Sequence, residues 1–232
     1  MAKTPYAWLA RPDMQRTPEP QLMDETAQAM AYANADFTEP HNHFVTLLQE
    51  HFPELQPGTV LDLGCGPGDI CRRIARAYPG SRIIGVDGAK AMLEEGRRAN
   101  QREGLSARIE LEFALLPGDP LPSGPFEAIV SNSLLHHLDD PQTLWSTVRS
   151  LATGTMPVFI MDLHRPATPE SAHALVERYA ADEPEILRKD FENSLHAAYT
   201  QQEVETQLRE AGLKGLRVEN VSDRHLVAFG VA

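Results

Sequence analysis

Thr59-Val60-Leu61-Asp62-Leu63-Gly64-Cys65-Gly66-Pro67-Gly68-Asp69 is the stretch that decides how this 232-residue chain folds. An apolar run with β-branched residues stops at a cluster of glycines, and a helical pattern follows at once. That order predicts a buried strand, a tight turn and a helix, the opening unit of an α/β sheet. Glycine tolerates positive φ and lets backbone approach a ligand without a Cβ in the way. Ligands of such sheets bind at the carboxyl ends of the strands, so this turn is expected to line a binding crevice.

The spacing speaks about the ligand. A dinucleotide fingerprint reads G-x-G-x-x-G. Here the glycines fall at Gly64, Gly66 and Gly68, and the third fingerprint position is Asp69. An acid there suits neither close helix packing nor a pyrophosphate, and Pro67 removes an N–H that could hold phosphate oxygen. The loop suits a ligand without phosphates, which disfavours a NAD-binding oxidoreductase. Asp62, on the strand before the loop, favours a positively charged group nearby.

Val60 to Asp69 resembles the first motif of class I S-adenosylmethionine (SAM)-dependent methyltransferases. The resemblance continues at Ile83-Ile84-Gly85-Val86-Asp87, and again from Phe126 through Ser131-Asn132-Ser133 to His136-His137-Leu138. It covers residues 55–232 by order of elements. It implies a Rossmann-like, doubly wound α/β fold: a seven-stranded sheet with its last strand antiparallel, an N-terminal helical lid and a helical insert after the fifth strand. The implied parts of a single domain are lid and helices 1–54, SAM-binding core 55–165, insert 166–199, and closing helix and hairpin 200–232.

The resemblance also implies the cofactor site. Asp62, Gly64, Cys65, Gly66 and Gly68 belong to the first motif. Asp87, ending the second strand beside Gly88, is placed for the ribose hydroxyls. Met92 packs on adenine or is plain core; Leu115 and Leu116 fall at the adenine edge, and Asn132 at the end of the fourth strand. Many relatives carry an acid for the adenine amino group, but this chain reads Leu115-Leu116-Pro117-Gly118-Asp119. Asp119 or a backbone carbonyl is left for that role.

Composition sets outer bounds. With 42% hydrophobic residues the chain can bury a proper core. Its net charge of −12 argues against nucleic acid, whose binding rests on cationic contacts to phosphate. The two cysteines, Cys65 and Cys71, make no disulfide framework, so a reducing cytoplasm is expected. No run has signal-peptide or membrane-spanning character.

Residues 1–20 hold four prolines but also Tyr6, Trp8 and Met14, which reads as a lid or a frayed tail. Arg16, or else Arg11, is a candidate for the methionine carboxylate of SAM; the alternative is a solvated arginine. Helices are expected over 21–36 and from His41 to Phe52. Tyr32, Asn34, Asp36 and Phe37 lie near their junction and touch ligand if it overhangs the crevice. Helices are further expected over Asp69–Tyr78, with Arg72, Arg73 and Arg76 on the solvated face, and over Ala89–Arg102. The third strand is expected over Ala107–Leu116 and the fifth over Pro157–Leu163.

In this family the cofactor's sulfonium makes the methyl electrophilic, so the resemblance implies direct in-line displacement. A small, neutral or cationic acceptor is expected, slightly favoured by the acidic surface. A hydroxyl or ammonium acceptor needs a base, and His137, His164 and Tyr199 are the candidates. The histidine pair His136-His137 has a structural alternative, packing on Trp145 or capping the loop. Ligation by His137, Asp162 and His164 has no recognised metal spacing, and no metal is expected. The insert shows helical stretches over Glu170–Ala181 and Pro184–Leu195. Glu177, Arg178, Tyr179, Asn193, His196 and Tyr199 are its candidate contacts. A capping box, Thr200 to Glu203, opens a helix stopping at Gly212. Two other reactions stay open: cyclisation of SAM to a cyclic amino acid plus methylthioadenosine, and modification of RNA. Oligomeric state, monomer or homodimer, is open too.

Overall fold

The computed structural model describes residues 14–19, 32 and 35–232. Tyr6, Trp8, Arg11, Asn34 and most of the helix expected over 21–36 lie outside them. The described elements are α1 Thr38–His51, β1 Thr59–Leu63, α2 Asp69–Ala77, β2 Arg82–Asp87, α3 Lys90–Arg102, β3 Ile109–Phe113 and β4 Ala128–Asn132. A single 3₁₀ turn at Leu135–His137 leads to α4 Gln142–Leu151 and β5 Pro157–Leu163. Then come α5 Pro169–Tyr179, α6 Glu185–Ala197, α7 Gln201–Ala211, β6 Leu216–Asn220 and β7 His225–Val231. The expected α/β fold is present: one seven-stranded sheet in the order β3-β2-β1-β4-β5-β7-β6. The first five strands pair in parallel, and β7 enters antiparallel to both β5 and β6.

Strand periodicity divides the core between two layers. Leu61 and Leu63 of β1 face the cluster built with Trp145 and Val148 of α4 and Val204 and Leu208 of α7. Val60 faces the opposite cluster, with Phe44 of α1, Ile74 of α2 and Leu93 of α3. Asp62, in step with Val60, points a carboxylate into that second layer. A third cluster joins Met14 to Leu163, Val176 of α5 and Leu195 of α6, so the N-terminal segment packs on the insert.

The local signals act as the sequence implies at several ends. The Thr200 hydroxyl accepts from Glu203 N–H and the Glu203 carboxylate accepts from Thr200 N–H, a complete capping box. Helix α7 ends at Gly212 with φ 76°. Helix α1 begins at Thr38 rather than His41, because the Asp36 carboxylate accepts from Thr38 N–H at 2.9 Å and Pro40 fits the first turn.

Two expectations need correction. Strand β3 is shorter than 107–116 because its one partner, β2, ends at Asp87, opposite Phe113. Arg72 is not solvated: it is buried, donating to Pro67 O at 2.7 Å and Asn100 Oδ1 at 3.4 Å. It thereby ties the glycine turn to α2 and α3. Among the described residues, no helix is long and apolar enough to cross a membrane.

Candidate cofactor site and the adjoining cavity

The turn leaving β1 is held by backbone. Gly64 N–H and Cys65 N–H both donate to Val86 O, at 2.9 and 3.0 Å, so the turn leans on β2. Gly64 and Gly68 take φ of 71° and 70°, where any other residue would be strained. The Asp87 carboxylate accepts from Gly66 N–H at 2.8 Å and from Ala89 N–H at 2.7 Å. It is thus fixed between the turn and the start of α3.

Asp62 is fully enclosed. One of its oxygens accepts from the Cys71 thiol at 3.1 Å, and the other, Oδ1, has no hydrogen-bond partner among the described residues. Burial pushes its pKa up to about 7. Asp69 behaves oppositely. Against the cost of burial, hydrogen bonds from His41 and Arg73, each at 2.7 Å, pull it well below the usual carboxylate range.

A cavity of about 280 Å³ sits over this turn. Asp62, Gly64, Cys65, Gly66, Asp87, Gly88, Met92, Leu115, Leu116 and Asn132 all line it. Gly68 does not, nor does Asp119, which closes its own loop by accepting from Leu115 N–H at 3.0 Å. Tyr32, Asp36 and Phe37 do line it, so the junction before α1 overhangs the crevice. Burial, with Asp87 and Asp69 nearby, pushes Tyr32 up to about 12.

A second cavity, about 580 Å³, adjoins the first and shares Tyr32, Phe37, Asn132, Ser133 and His137 with it. Its far wall is the insert: Tyr179, Leu187 and Phe191, with Arg178. Ser133 holds φ 57°, an uncommon conformation for a residue with a side chain, at the boundary between the two spaces.

Several expected contacts fall elsewhere. Arg16 lines neither cavity. Its guanidinium donates to the carbonyls of Ala197 (2.6 Å), His136 (3.0 Å) and Leu138 (3.1 Å), and stacks on Tyr199 at 4.2 Å. It fastens the N-terminal segment and is not free to meet a carboxylate. Tyr199 is buried under it and donates to Leu138 O at 3.3 Å. His164 does not open onto the crevice: it forms a backbone bridge with Tyr199, and its neighbour Arg165 pairs with Glu203 at 2.7 Å. Glu177, Asn193 and His196 also lie off both linings.

Of the three expected bases, His137 alone lines the cavities. Trp145 donates to Gln207 at 2.9 Å rather than packing on a histidine, while His136 meets Asp162 at 2.5 Å. His137, Asp162 and His164 are not gathered. The cluster that forms instead is Glu19, His136 and His137. Glu19 escaped the sequence reading because nothing in an isolated acid among prolines announces where the segment docks.

This strand order, with a glycine turn after β1 and an acid ending β2 over one crevice, is the arrangement that the resemblance to class I SAM-dependent methyltransferases implies. Residues 60–154 match the family model described as a methyltransferase domain, and over that stretch the chain is similar to this class. A malonyl-[acyl-carrier protein] O-methyltransferase of Legionella pneumophila is 34% identical over 36% of this chain and 28% of its own length. An uncharacterized methyltransferase of Mycobacterium bovis is 35% identical over 50% of this chain and 56% of its own. The chain therefore spans between 28% and 56% of these curated relatives. A SAM-dependent methyltransferase from Aquifex aeolicus has the same fold, with TM-score 0.66 at 16% identity over 89% of this chain and 98% of that one.

The residues present fit SAM as the cofactor. A Cβ on Gly66 would meet nothing within 4 Å, which leaves the turn open toward the cavity. The orphaned, buried Asp62 Oδ1 calls for a donor that the described residues do not provide. A cationic ammonium supplies one.

Proposed function

We propose that this chain transfers the methyl group of SAM to a small, neutral or cationic acceptor held in the second cavity, by direct in-line displacement. The observation that carries the reading is the junction of the two cavities. The larger one adjoins the cofactor cavity along Asn132, Ser133 and His137, so an acceptor there meets the cofactor end-on. When bound, SAM supplies an electrophilic methyl on sulfur.

The chain's own residues do the rest by holding. Asp87 would grip the sugar hydroxyls, and Asp62 Oδ1 would accept from the amino group. Met92, Leu115 and Leu116 would enclose the base. Fixing both partners this way removes orientational freedom worth up to about 7–11 kcal/mol of barrier. The charged lining of the acceptor space favours the proposed class. Asp36, Glu39, Glu183 and Asp190 stand against Arg178 and Arg224, and both arginines are engaged, with Asp223 at 3.0 Å and Glu39 at 2.8 Å. The aromatic and aliphatic wall of Phe37, Tyr179, Leu187 and Phe191 suits an acceptor with an apolar body. The two free, buried cysteines fit a reducing cytoplasm.

The test is product analysis. The full chain is incubated with SAM alone and with a panel of small amines, alcohols and thiols. Acceptor-dependent S-adenosylhomocysteine supports the reading. Methylthioadenosine formed from SAM alone would overturn it in favour of cyclisation.

A further inference from the structure

We propose that Glu19, His136 and His137 form a binding site for a divalent transition-metal ion of the zinc class, facing the acceptor cavity. Glu19 Oε1 lies 3.5 Å from His136 Nε2 and 3.2 Å from His137 Nδ1. One donor atom from each of the three residues falls within 4.8 Å of the others. Zinc bonds nitrogen and oxygen at about 2.0–2.2 Å, so two donors of a tetrahedral site sit about 3.4 Å apart. The two Glu19 separations already match that edge, before any side chain moves.

The supporting contacts are those of a built site. His136 is 2% exposed, and its Nδ1 meets Asp162 Oδ1 at 2.5 Å. The Asp162 oxygens also accept from Leu135 N–H and Leu163 N–H, both at 2.7 Å. A carboxylate only accepts, so His136 Nδ1 is the donor, and in the neutral ring Nε2 turns its lone pair toward Glu19. Carboxylate, imidazole and ion in that order is a recurrent way of orienting a ligand histidine. Glu19 is steadied in turn by the Ser194 hydroxyl, at 3.1 and 3.3 Å from its two oxygens. Arg16, whose charge reaches His136, is spent on the carbonyls of Ala197, His136 and Leu138.

Three protein ligands, two imidazoles and one carboxylate, are the donor set of zinc sites that keep a position open. The open position is assigned to the side of the larger cavity, because both histidines line that cavity with Ser194 and Asp190. An acceptor carrying an oxygen or sulfur would occupy it as the fourth ligand, at the boundary with the cofactor space. This use rests on the methyl-transfer reading; ion binding does not.

The experiment uses the tag-free full chain, stripped with chelator and titrated with zinc chloride by calorimetry and with cobalt chloride by visible absorption. One equivalent of ion is expected, with cobalt bands of tetrahedral or five-coordinate type. Glu19→Gln and His137→Gln are each expected to weaken binding about tenfold to a hundredfold or more. His164→Gln, a histidine outside the cluster, is expected to bind as the parent does. Thermal melts confirm that each variant folds, and S-adenosylhomocysteine titration shows whether the cofactor site survives. Absence of stoichiometric binding to the parent, or undiminished binding by folded Glu19→Gln and His137→Gln, would overturn the site. Either result leaves the cofactor reading standing if S-adenosylhomocysteine still binds.

Discussion

Two groups of polar residues sit at the carboxyl edge of the same sheet and meet opposite fates. After β1 and β2, Asp62 keeps a buried oxygen without a partner among the described residues, and Asp87 holds the glycine turn open beneath a cavity. After β5, the polar neighbours of His164 bond mostly within the protein: Arg165 gives Nη1–H to Ala198 O and Nη2–H to Glu203, with Nε left without a partner among the described residues, and Tyr199 gives its hydroxyl to Leu138 O. A polar group whose partners are all internal is structural, however close to a crevice the topology brings it. A buried polar atom without a partner costs stability, and where it lies on a cavity, as Asp62 does and Arg165 does not, a ligand can return that cost.

Breaking the β1–β2 side should have the largest effect. Asp87→Ala removes an acceptor for two backbone N–H groups and the proposed sugar contacts. With charged hydrogen bonds worth about 1.5–3 kcal/mol each, S-adenosylhomocysteine affinity measured by calorimetry should fall about 100-fold. Parent-like affinity would remove the basis for the cofactor site.

Arg16→Ala probes the other group. It should lower stability by about 2 kcal/mol, seen as a Tm drop of about 4–8 °C, with cofactor affinity changed less than about twofold. A large affinity loss with an unchanged melt would restore the arginine to the carboxylate of SAM.

Asp62 sharpens the contrast through pH. Its folded pKa, about 7, lies above the ordinary value of 3.8. Its contribution to the stability of the unliganded fold is therefore fully present below about pH 4 and lost as pH rises through 7. A cationic ligand prefers the ionised form, so S-adenosylhomocysteine should bind more tightly as pH rises from 6 to 8, by up to about tenfold. Asp62→Asn should flatten that slope and bind more weakly at pH 8. A parent affinity that stays level across this range would show that Asp62 does not meet the ammonium.

The smallest effect is expected at His164. His164→Gln should change stability by no more than about 0.5 kcal/mol and leave S-adenosylhomocysteine binding as it was. A tenfold loss of binding would place the end of β5 back in the site.

What was legible in the sequence follows the same division. Periodicity and glycine spacing report local backbone, and so β1, the turn, Asp87 and the full span of β5 could be read directly. The capping box at Thr200 was equally local. Docking is not local. Whether Arg16 faces a ligand or three carbonyls depends on where its segment lies against α6, more than 170 residues away. Helical spacing put Arg72 on the outer face, but the spacing cannot show that Pro67 O and Asn100 close over it. His164 is among the expected bases, but its place at the end of β5 fixes its height on the sheet and not the direction of its side chain.

The seam between residues 14–19 and the end of α6 has a practical consequence. Met14 N–H bonds Ala167 O, Thr17 N–H bonds His196 O, and Glu19 rests on Ser194. Anyone grafting the α5–α6 region from a relative to alter acceptor preference would orphan all of these anchors at once. Such a chimera has to exchange the leading segment together with it, as a matched pair.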